Sequence, residues 1–399
     1  MQVSALQLYS GSRIPEISPS LRGKRNPWTQ VDCLTASEWD LHLAGFNDCN
    51  LFQTAAFADT ARGSRRMSHL LLRRDGLPVA GVRAAIMNPP GLPIGIAYIK
   101  HGPFWRRFGT PPDESIYTDV LAAIVEEYGF RRGHMISISP RPHPDFEVVE
   151  EKLLRQAGFV PRARLRRPIS YFLVNTGIGE EALRASLSQK WRYNLKRAER
   201  NQLEIRFLDP MEALPEFEAL HAKMVARKQL ADRDPLHVLP NIFRQLPPSC
   251  SHIVTASHRG ETIAGAVIIM TGDTATYLYG ASTEAALPLN AGYMLHWEVA
   301  KWLSKKAVKW YDLGDGFGKL AEFKQGFVGK AGAVLQRAGE FDFAPTVRSR
   351  MIGETIYGAR QAKLAVRSVR RSVKRQLEQC VQQAALKASS WKGPERLLG

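Results

Sequence analysis

Three ionisable side chains lie close together in this 399-residue chain: the carboxylates of Asp312 and Asp315 and the ammonium group of Lys324. A carboxylate can accept the proton that an attacking amine releases. An ammonium group can neutralise a phosphate, or a carbonyl oxygen that becomes negative during acyl transfer. We therefore predict that all three residues of this Asp312-to-Lys324 loop are catalytic. The simpler alternatives stay open, because Asp-Leu-Gly-Asp-Gly is a good turn sequence and most lysines are exposed.

An aromatic strand and a helix start precede these residues, in the runs YLYGAS and LNAGYMLHWEVAKWLSKKAV. Tyr277 and Tyr279 alternate with Leu278, so we expect both rings on one face of their strand. There they either bind substrate along an acyl channel or fill the core. Asn290 and Gly292 open the following helix, and backbone N–H groups at a helix start favour an anion. We predict that both bind substrate.

A basic stripe is predicted on a helix spanning Glu181–Asn201. Arg192, Lys196 and Arg200 are four residues apart and therefore share a face. A neighbouring face of the same helix is apolar and is formed by Leu187, Trp191, Leu195 and Ala198. The three cations either bind an anionic substrate, such as tRNA or a diphosphate-linked acceptor, or form a solvated surface.

The composition favours an anionic partner and excludes several enzyme classes. The formal net charge is +17, and residues 346–399 hold twelve Lys/Arg against three Glu. The run from Gly314 to Lys319 resembles a phosphate-binding loop but has the wrong glycine spacing and lacks the Ser/Thr after the lysine. The four cysteines form no CxxC pair and the histidines are scattered, so we predict no metal site. No apolar run approaches the ~20 residues of a membrane-spanning helix, and no secretory signal is expected.

The order of predicted elements is helix, helix, three antiparallel strands, helix and strand, and it occurs twice. This order predicts an α/β fold with mixed sheets in two tandem domains, although one mixed domain with insertions is the alternative. We expect a loose arm over 1–27, a first domain over 28–175, a second over 176–345 and a basic amphipathic helical tail over 346–399. For the tail, the alternatives are packing on its own domain or on a sister chain and contact with a membrane surface or RNA.

The amino-acid sequence of the second half resembles that of the FemAB-like family, which consists of double-GNAT acyl and aminoacyl transferases. The resemblance is carried by LNAGYMLHWEVAKWLSKKAVKWYDLGD and FKQGF, and more weakly by the basic run that begins at Lys190 and by the segment from Tyr98 to Pro103. It implies that Lys324, the lysine of the Phe-Lys pair, lies at the donor and acceptor phosphates and that Phe323 binds substrate. A related branch consists of acetyltransferases of cellulose-biosynthesis type. The resemblance therefore implies two tandem GNAT-like domains, with the donor site in the second.

One part of this sequence departs from GNAT enzymes that use acetyl-CoA. Those enzymes place Arg/Gln-x-x-Gly-x-Gly/Ala at the helix start, whereas this chain has Leu289 and Met294 on either side of Gly292. Leucine offers no hydrogen bond, and a methionine side chain would crowd a phosphate. We therefore expect an incomplete pyrophosphate cradle.

The resemblance implies transfer of an acyl or aminoacyl group to an amine or hydroxyl of a cell-envelope precursor or polysaccharide unit. Aminoacyl-tRNA or acyl-CoA would be the co-substrate, with no tightly bound cofactor, and the acceptor would be a phosphorylated or lipid-linked glycan. The protein is expected in the cytoplasm or at the inner face of the membrane. The alternative is a catalytically inactive GNAT scaffold that docks on membrane or RNA through its basic surfaces.

Overall fold

The structure is a computed structural model that describes residues 29–57, 66–162, 170–228, 236–306, 308–336, 339–363 and 365–366. The N-terminal arm expected over 1–27 and the tail beyond residue 366 lie outside the described residues.

Two seven-stranded mixed sheets form the framework. The strands are β1 Thr29–Val31, β2 Arg66–Arg74, β3 Leu77–Met87, β4 Ile96–Lys100, β5 Met135–Ser139, β6 Val160–Pro161, β7 Ser170–Asn175, β8 Glu204–Leu208, β9 Ser251–His258, β10 Glu261–Thr271, β11 Thr274–Ser282, β12 Trp310–Asp315, β13 Ala333–Gln336 and β14 Phe341–Phe343. The first sheet has the order β1-β2-β3-β4-β5-β14-β6, and the second, read from its far edge, has the order β8-β9-β10-β11-β12-β7-β13. The two sheets therefore repeat one topology.

Helices cover the faces of both sheets. They are α1 Ala36–Leu43, α2 Glu114–Ile124 with a π-helical continuation over Val125–Arg131, α3 Glu147–Gln156, α4 Glu180–Ser186, α5 Gln189–Glu199, α6 Pro210–Lys228, α7 Leu239–Gln245, α8 Ala291–Lys305 and α9 Lys319–Val328. Short 3₁₀ turns lie at Leu51–Gln53, Thr176–Ile178, Leu236–Val238 and Pro248–Cys250. Residues 347–363 and 365–366 are also helical and are called the C-terminal helix below. None of the helices in the described part of the chain combines the length and hydrophobicity that crossing a bilayer requires.

Each sheet contains one strand that is separated in sequence from its other strands. Strand β7 follows β6 in sequence but lies between β12 and β13 in the second sheet. Strand β14 follows β13 but lies between β5 and β6 in the first sheet. The boundary expected after residue 175 therefore falls at the end of a strand of the second sheet. "First domain" and "second domain" below mean the two sheets with their helices.

The second domain is a sheet packed between helices on both faces. The apolar faces of α4, α5, α8 and α9 meet one side of the sheet around Trp191, Trp297 and Phe327. On the other side, α6 and α7 pack around Phe217 and Ile242. Because β10 is buried on both faces, its run from Ile263 to Ile269 is continuously apolar apart from Gly265.

The single helix predicted over Glu181–Asn201 is wrong, because the chain forms α4 and α5 with a break between them. Leu187 leaves helical geometry with φ −56° and ψ 150°. Ser188 then caps α5 by accepting a hydrogen bond from the N–H of Trp191 at 3.3 Å. The Asp312-to-Lys324 loop expected from the sequence is also shorter, since α9 begins at Lys319 and carries Lys324 on a helix.

The C-terminal helix packs on the first domain. Tyr357 is buried, and its hydroxyl lies 2.8 Å from the Oγ of Ser137 on β5. The helix approaches closely at Gly353, where a Cβ atom would collide with the side chain of Met135. The described start of the tail is therefore a docked element of the first domain.

Candidate active site

The two parallel strands at the centre of the second sheet separate before they end. Strand β11 pairs with β12 from Thr274 opposite Trp310 to Thr276 opposite Asp312, and the pairing stops there. Strand β11 then runs on to Ser282. Beyond Asp312 the facing backbone groups of the two strands no longer bond to each other. The result is a wedge-shaped gap that begins at Tyr277 on one strand and Leu313 on the other.

A β-bulge lies where the gap opens. Val267 of β10 faces Tyr279 and the next residue, Ile268, faces Tyr277, so Leu278 is an extra residue on β11. Tyr277 therefore packs against the α8 side of the sheet, and Tyr279 packs against the α6 side. The predicted common face for these two tyrosines is wrong, because an inserted residue reverses the alternation of a strand.

Tyr277 is held at the gap by its neighbours. Its ring meets His296 edge-on, with the ring centroids 4.7 Å apart. Its hydroxyl lies over the Cα of Gly280, where any Cβ atom would collide with it. Burial raises the pKa of Tyr277 to about 12, so the phenol stays protonated at neutral pH. The side chain is therefore a positioned proton donor.

Lys324 reaches the same place from α9 and is 5% exposed. Its ammonium group donates to the backbone carbonyls of Leu313 and Asp315, each at 2.5 Å, and lies 5.8 Å from the centre of the Tyr277 ring. Burial lowers its pKa, an effect that nearby Asp315 and Asp312 oppose. The lysine thus fixes the end of β12 and places a cation beside the gap.

The two carboxylates predicted to be catalytic differ in environment. Asp312 is half-buried, and its Oδ1 accepts a hydrogen bond from the N–H of Gly314 at 2.7 Å. Burial raises the pKa of Asp312, although that hydrogen bond and the cations Arg141 and Lys324 act in the opposite direction. Asp315 is exposed and contributes its backbone carbonyl to Lys324. Asp312 is therefore the better placed proton acceptor.

Sequence reasoning missed His296, which is 6% exposed and lies between Tyr277 and Phe323. Its Nδ1 is 2.9 Å from the hydroxyl of Tyr311. Burial, reinforced by the charge of Lys324, lowers its pKa to about 3, so the ring is neutral. A signal was present, because His296 follows Gly292 by four residues and so shares its helix face.

The start of α8 is open. Asn290 precedes the helix in a left-handed conformation with φ 54°, and its side chain makes no capping hydrogen bond. A Cβ atom at Gly292 would meet nothing within 4 Å, and among the described residues its N–H has no acceptor. Leu289 and Met294 pack against the core. The methionine side chain is therefore occupied in core packing, and the space beside Gly292 stays open.

A cavity of about 990 Å³ lies beside this helix start, between α5 and α9. Its aromatic lining is formed by Trp191, Tyr293 and Phe323, and Tyr293 belongs to the first turn of α8. The charged side chains in its lining are Lys190, Arg192, Lys319, Lys330 and Glu322. With four cations and one anion, the cavity suits a ligand that carries several negative charges.

Only part of the predicted basic stripe reaches this cavity. Arg192 lines it and also donates to the carbonyls of Ala185 and Leu187, which end α4. Lys196 and Arg200 are exposed further along α5 and do not line it. Of the predicted site residues, the structure gathers the following around the gap and cavity: Tyr277, Asn290, Gly292, Asp312, Asp315, Phe323, Lys324 and Arg192. It places Tyr279, Lys196 and Arg200 elsewhere.

The first domain contributes a charged cluster that the sequence did not indicate. Asp273, in the turn between β10 and β11, accepts from Arg106 at 3.1 Å and His143 at 3.3 Å and lies 3.5 Å from Arg141. Burial alone would raise the pKa of Asp273, but His143 and the two guanidinium groups outweigh it and hold that pKa well below its usual range. The charge of Arg141 also lowers the pKa of Asp312, so the cluster acts electrostatically on the gap.

Comparisons with known proteins agree with this geometry. Residues 185–325 match the family model of the acetyltransferase (GNAT) domain. The matched segment is about a third of the chain. The match contains the gap, the start of α8 and α9, and it confirms the expected acyltransferase class. No curated protein matches the chain.

Among solved structures, the fold is similar to the crystal structure of FemX, with a TM-score of 0.65 and 16% sequence identity, covering 79% of this chain and 97% of that one. It is also similar to a conserved protein of unknown function from Bacteroides thetaiotaomicron VPI-5482, with a TM-score of 0.53 and 11% identity over 78% and 98% of the two chains. The shared region is longer than one GNAT domain. The predicted fold of two tandem GNAT-like domains and the resemblance to FemAB-like proteins are thereby confirmed at the level of the fold.

Proposed function

We propose that this GNAT enzyme transfers an acyl or aminoacyl group from a phosphate-bearing carrier to an amine of a cell-envelope precursor or polysaccharide unit. The observation that carries the proposal is the gap between β11 and β12, with Tyr277, Asp312 and Lys324 at its apex. The unpaired backbone groups along the gap can hydrogen-bond an extended acyl carrier. The apex then holds the acyl carbon beside groups that can accept and donate protons.

The reaction needs positioning and two proton transfers. The amine nitrogen attacks the acyl carbon, a C–N bond forms, and the bond from carbon to the carrier's sulfur or oxygen breaks. Asp312 takes the proton that the nitrogen loses. The hydroxyl of Tyr277 donates a proton to the departing carrier atom and recovers one from solvent. Lys324 stabilises the negative charge that develops on the acyl oxygen through its nearby positive charge.

The donor's phosphates are proposed to lie along the start of α8 and the adjoining cavity. The free N–H of Gly292 offers a hydrogen bond to a phosphate oxygen. The cavity adds four cations and an aromatic wall that can stack a base. Both acyl-CoA and the 3′ end of an aminoacyl-tRNA have this chemistry.

The acceptor is proposed to enter from the side of the first domain. Arg141 lies 3.5 Å from Asp273 and its charge lowers the pKa of Asp312, and the rings of His101 and Tyr171 lie 6.3 Å apart where the two domains meet. A cation and aromatic rings beside Asp312 suit a phosphorylated sugar that presents an amine. The choice of a cell-envelope precursor as acceptor is supported by the resemblance of the second domain's sequence to the FemAB-like family. Catalysis on a lipid-linked acceptor would place the protein at the inner face of the membrane.

The test is a transfer assay with the full-length protein. Radiolabelled aminoacyl-tRNA and acyl-CoA are supplied separately, each with an amino-sugar nucleotide as acceptor, and labelled amide product is counted. We expect product from one donor class, loss of it in Tyr277→Phe, and near-normal product in the matched control Tyr279→Phe, which lies on the other face of the sheet. Failure to bind or turn over either donor would overturn the proposal, and so would equal activity of the two variants.

The inactive-scaffold alternative is less well supported. A scaffold that had lost its donor site would have no reason to keep the gap open or to bury Lys324 and His296 beside it. Burial of polar groups that are not fully hydrogen-bonded lowers the stability of a protein, and a function would explain why they are kept.

A further inference from the structure

A second recess lies in the first domain, between the loop that joins β3 to β4 and the C-terminal helix. It consists of two adjoining depressions of about 360 Å³ and 550 Å³. Both are lined by Arg66, Ile86 and Asn88, so they form one groove. The C-terminal helix supplies one wall through Arg360 and Lys363. The groove belongs to the first domain and shares no lining residue with the cavity of the second.

The groove is strongly cationic. Arg66, Arg360 and Lys363 line it and have no ion-pair or hydrogen-bond partner for their side chains among the described residues. Arg131 and Arg132 line its inner end and pair with Glu127 at 2.6 Å and 2.7 Å. None of the lining residues is acidic. The three exposed cations give the recess a positive charge that favours an anionic ligand.

A buried polar group also faces this groove. His134 is 3% exposed and lines the inner depression. Its Nδ1 accepts a hydrogen bond from the N–H of Gly95 at 3.1 Å. Burial lowers the pKa of His134 to about 4, with further lowering by Arg132 and Arg66, so the ring is neutral and its proton is on Nε2. That Nε2–H has no acceptor among the described residues.

The outer half of the groove is apolar between its cations. Ile86, Met87, Ile356 and Ala359 line it beside Arg66 and Lys363. A ligand with a phosphate and an attached hydrocarbon chain matches this arrangement. Nucleic acid fits less well, because none of the lining residues is a Phe, Tyr or Trp on which a base could stack.

We propose that this groove binds an anionic membrane lipid, with its phosphate at Arg66 and the Nε2–H of His134 in the inner depression and its chain along the apolar residues of the outer depression, which Arg360 and Lys363 flank. The site holds the first domain on an anionic membrane surface. This inference is independent of the proposed chemistry, since it uses no residue of the second domain.

The experiment measures binding of the full-length protein to vesicles by co-sedimentation. Vesicles of phosphatidylcholine alone are compared with vesicles that contain phosphatidylglycerol. We expect binding only to the second kind, and a roughly 100-fold loss of affinity in Arg66→Ala/Arg360→Ala/Lys363→Ala. The matched control, Lys305→Ala/Arg348→Ala/Arg350→Ala, removes the same charge from residues outside the groove and should lose less than about fivefold.

Three outcomes would overturn the proposal: equal losses in the two triple variants, displacement of the vesicles by inorganic phosphate at millimolar concentration, and tighter groove-dependent binding to single-stranded RNA than to vesicles. The first would show general surface charge, the second a soluble-phosphate site and the third a nucleic-acid site. Circular dichroism of both variants separates a binding defect from unfolding. Acyl transfer to a soluble acceptor should be unchanged in the groove variant, so failure here and failure of the transferase proposal can be told apart.

Discussion

The two sheets repeat one topology, but their central parallel strands behave differently. In the first sheet, β4 and β5 pair along their whole length, from Ile96 opposite Met135 to Lys100 opposite Ser139. In the second sheet, the equivalent strands β11 and β12 share three paired positions and then separate. The closed pair leaves no room for a ligand between its strands. The open pair offers unpaired backbone groups to one.

The helices that follow these strands, α2 and α8, also differ at their N-termini: one is capped and the other is open. At the start of α2, Asp113 caps the helix by accepting the N–H of Ser115 at 2.9 Å. Hydrogen bonds from the hydroxyl and the N–H of Ser115 lower the pKa of Asp113, so an ionised carboxylate caps this helix start. At the start of α8, Asn290 leaves the helix uncapped and Gly292 leaves space. The same GNAT-like topology therefore occurs twice, once with a closed strand pair and a capped helix start and once with an open strand pair and an uncapped one.

The largest expected effect tests whether the open pair carries the chemistry. Asp312→Asn keeps the shape of the side chain but removes its capacity to accept a proton. We expect kcat to fall by roughly 10²–10⁴. The matched change Asp315→Asn, three residues away and exposed, should alter kcat less than about threefold. Equal losses would mean that Asp312 is not the proton acceptor.

The connection between the third and fourth strands also differs between the domains, and Asp273 tests what that difference does. In the second domain this connection is a tight turn, and its residue Asp273 accepts hydrogen bonds from Arg106 and His143 of the first domain. Asp273→Asn takes the anion away from His143 and Arg141 and leaves Arg106 only Asp48, at 3.8 Å, so it should destabilise the protein by about 3 kcal/mol at neutral pH. Asp145→Asn, which breaks an exposed ion pair with Lys309, should cost less than about 1 kcal/mol.

The pH dependence of the Asp273 variant has a definite sign. The pKa of this carboxyl is depressed on folding, so its contribution to stability is present above the unfolded value of about 3.8 and is lost as pH falls toward the folded value. The difference in thermal midpoint between wild type and Asp273→Asn should therefore shrink below about pH 4. A difference in thermal midpoint that stays constant down to pH 3 would show that the negative charge of Asp273 does not stabilise the contact between the domains.

A smaller effect is expected from Gly280→Ala, which asks how closely the open pair depends on Tyr277. An added Cβ collides with the hydroxyl of Tyr277 and must displace it. We expect kcat to fall roughly tenfold to a hundredfold, as misplacement of a reacting group does. In a Tyr277→Ala background the same change should have little further effect, and a full additional loss there would separate Gly280 from Tyr277.

The smallest effect tests the helix starts directly. Asn290→Asp introduces at α8 the carboxylate that α2 already has, and should raise the KM for the donor about twofold to fivefold without loss of stability. The reciprocal change, Asp113→Asn, should leave the KM unchanged. An unchanged KM in Asn290→Asp would place the donor's phosphates away from this helix start.

The local parts of the site were predictable from the sequence. The strand–helix–strand order around Gly292 and the position of Asp312 at the end of a strand depend on near neighbours, and the structure has both. The faces of Tyr277 and Tyr279 were predicted wrongly, because nothing in the residues themselves marks the bulge at Leu278.

Other parts could not be read from the sequence. Arg141 and Asp273 meet only because the two domains pack together, and no local pattern announces such a contact. The exchange of β7 and β14 is equally hidden, since short strands carry little pattern and their partners are distant in the chain.

The exchanged strands set an order on synthesis. The sixth place of the first sheet is filled by β14, so β5 and β6 have no strand between them until Phe343 has left the ribosome. At 5–20 residues per second, the ribosome needs roughly 10–40 s after β6 to reach that point. Throughout that interval two strand edges of the first domain stay unpaired and open to wrong partners. The first sheet is therefore begun early in synthesis and completed only after the strands of the second sheet have been made.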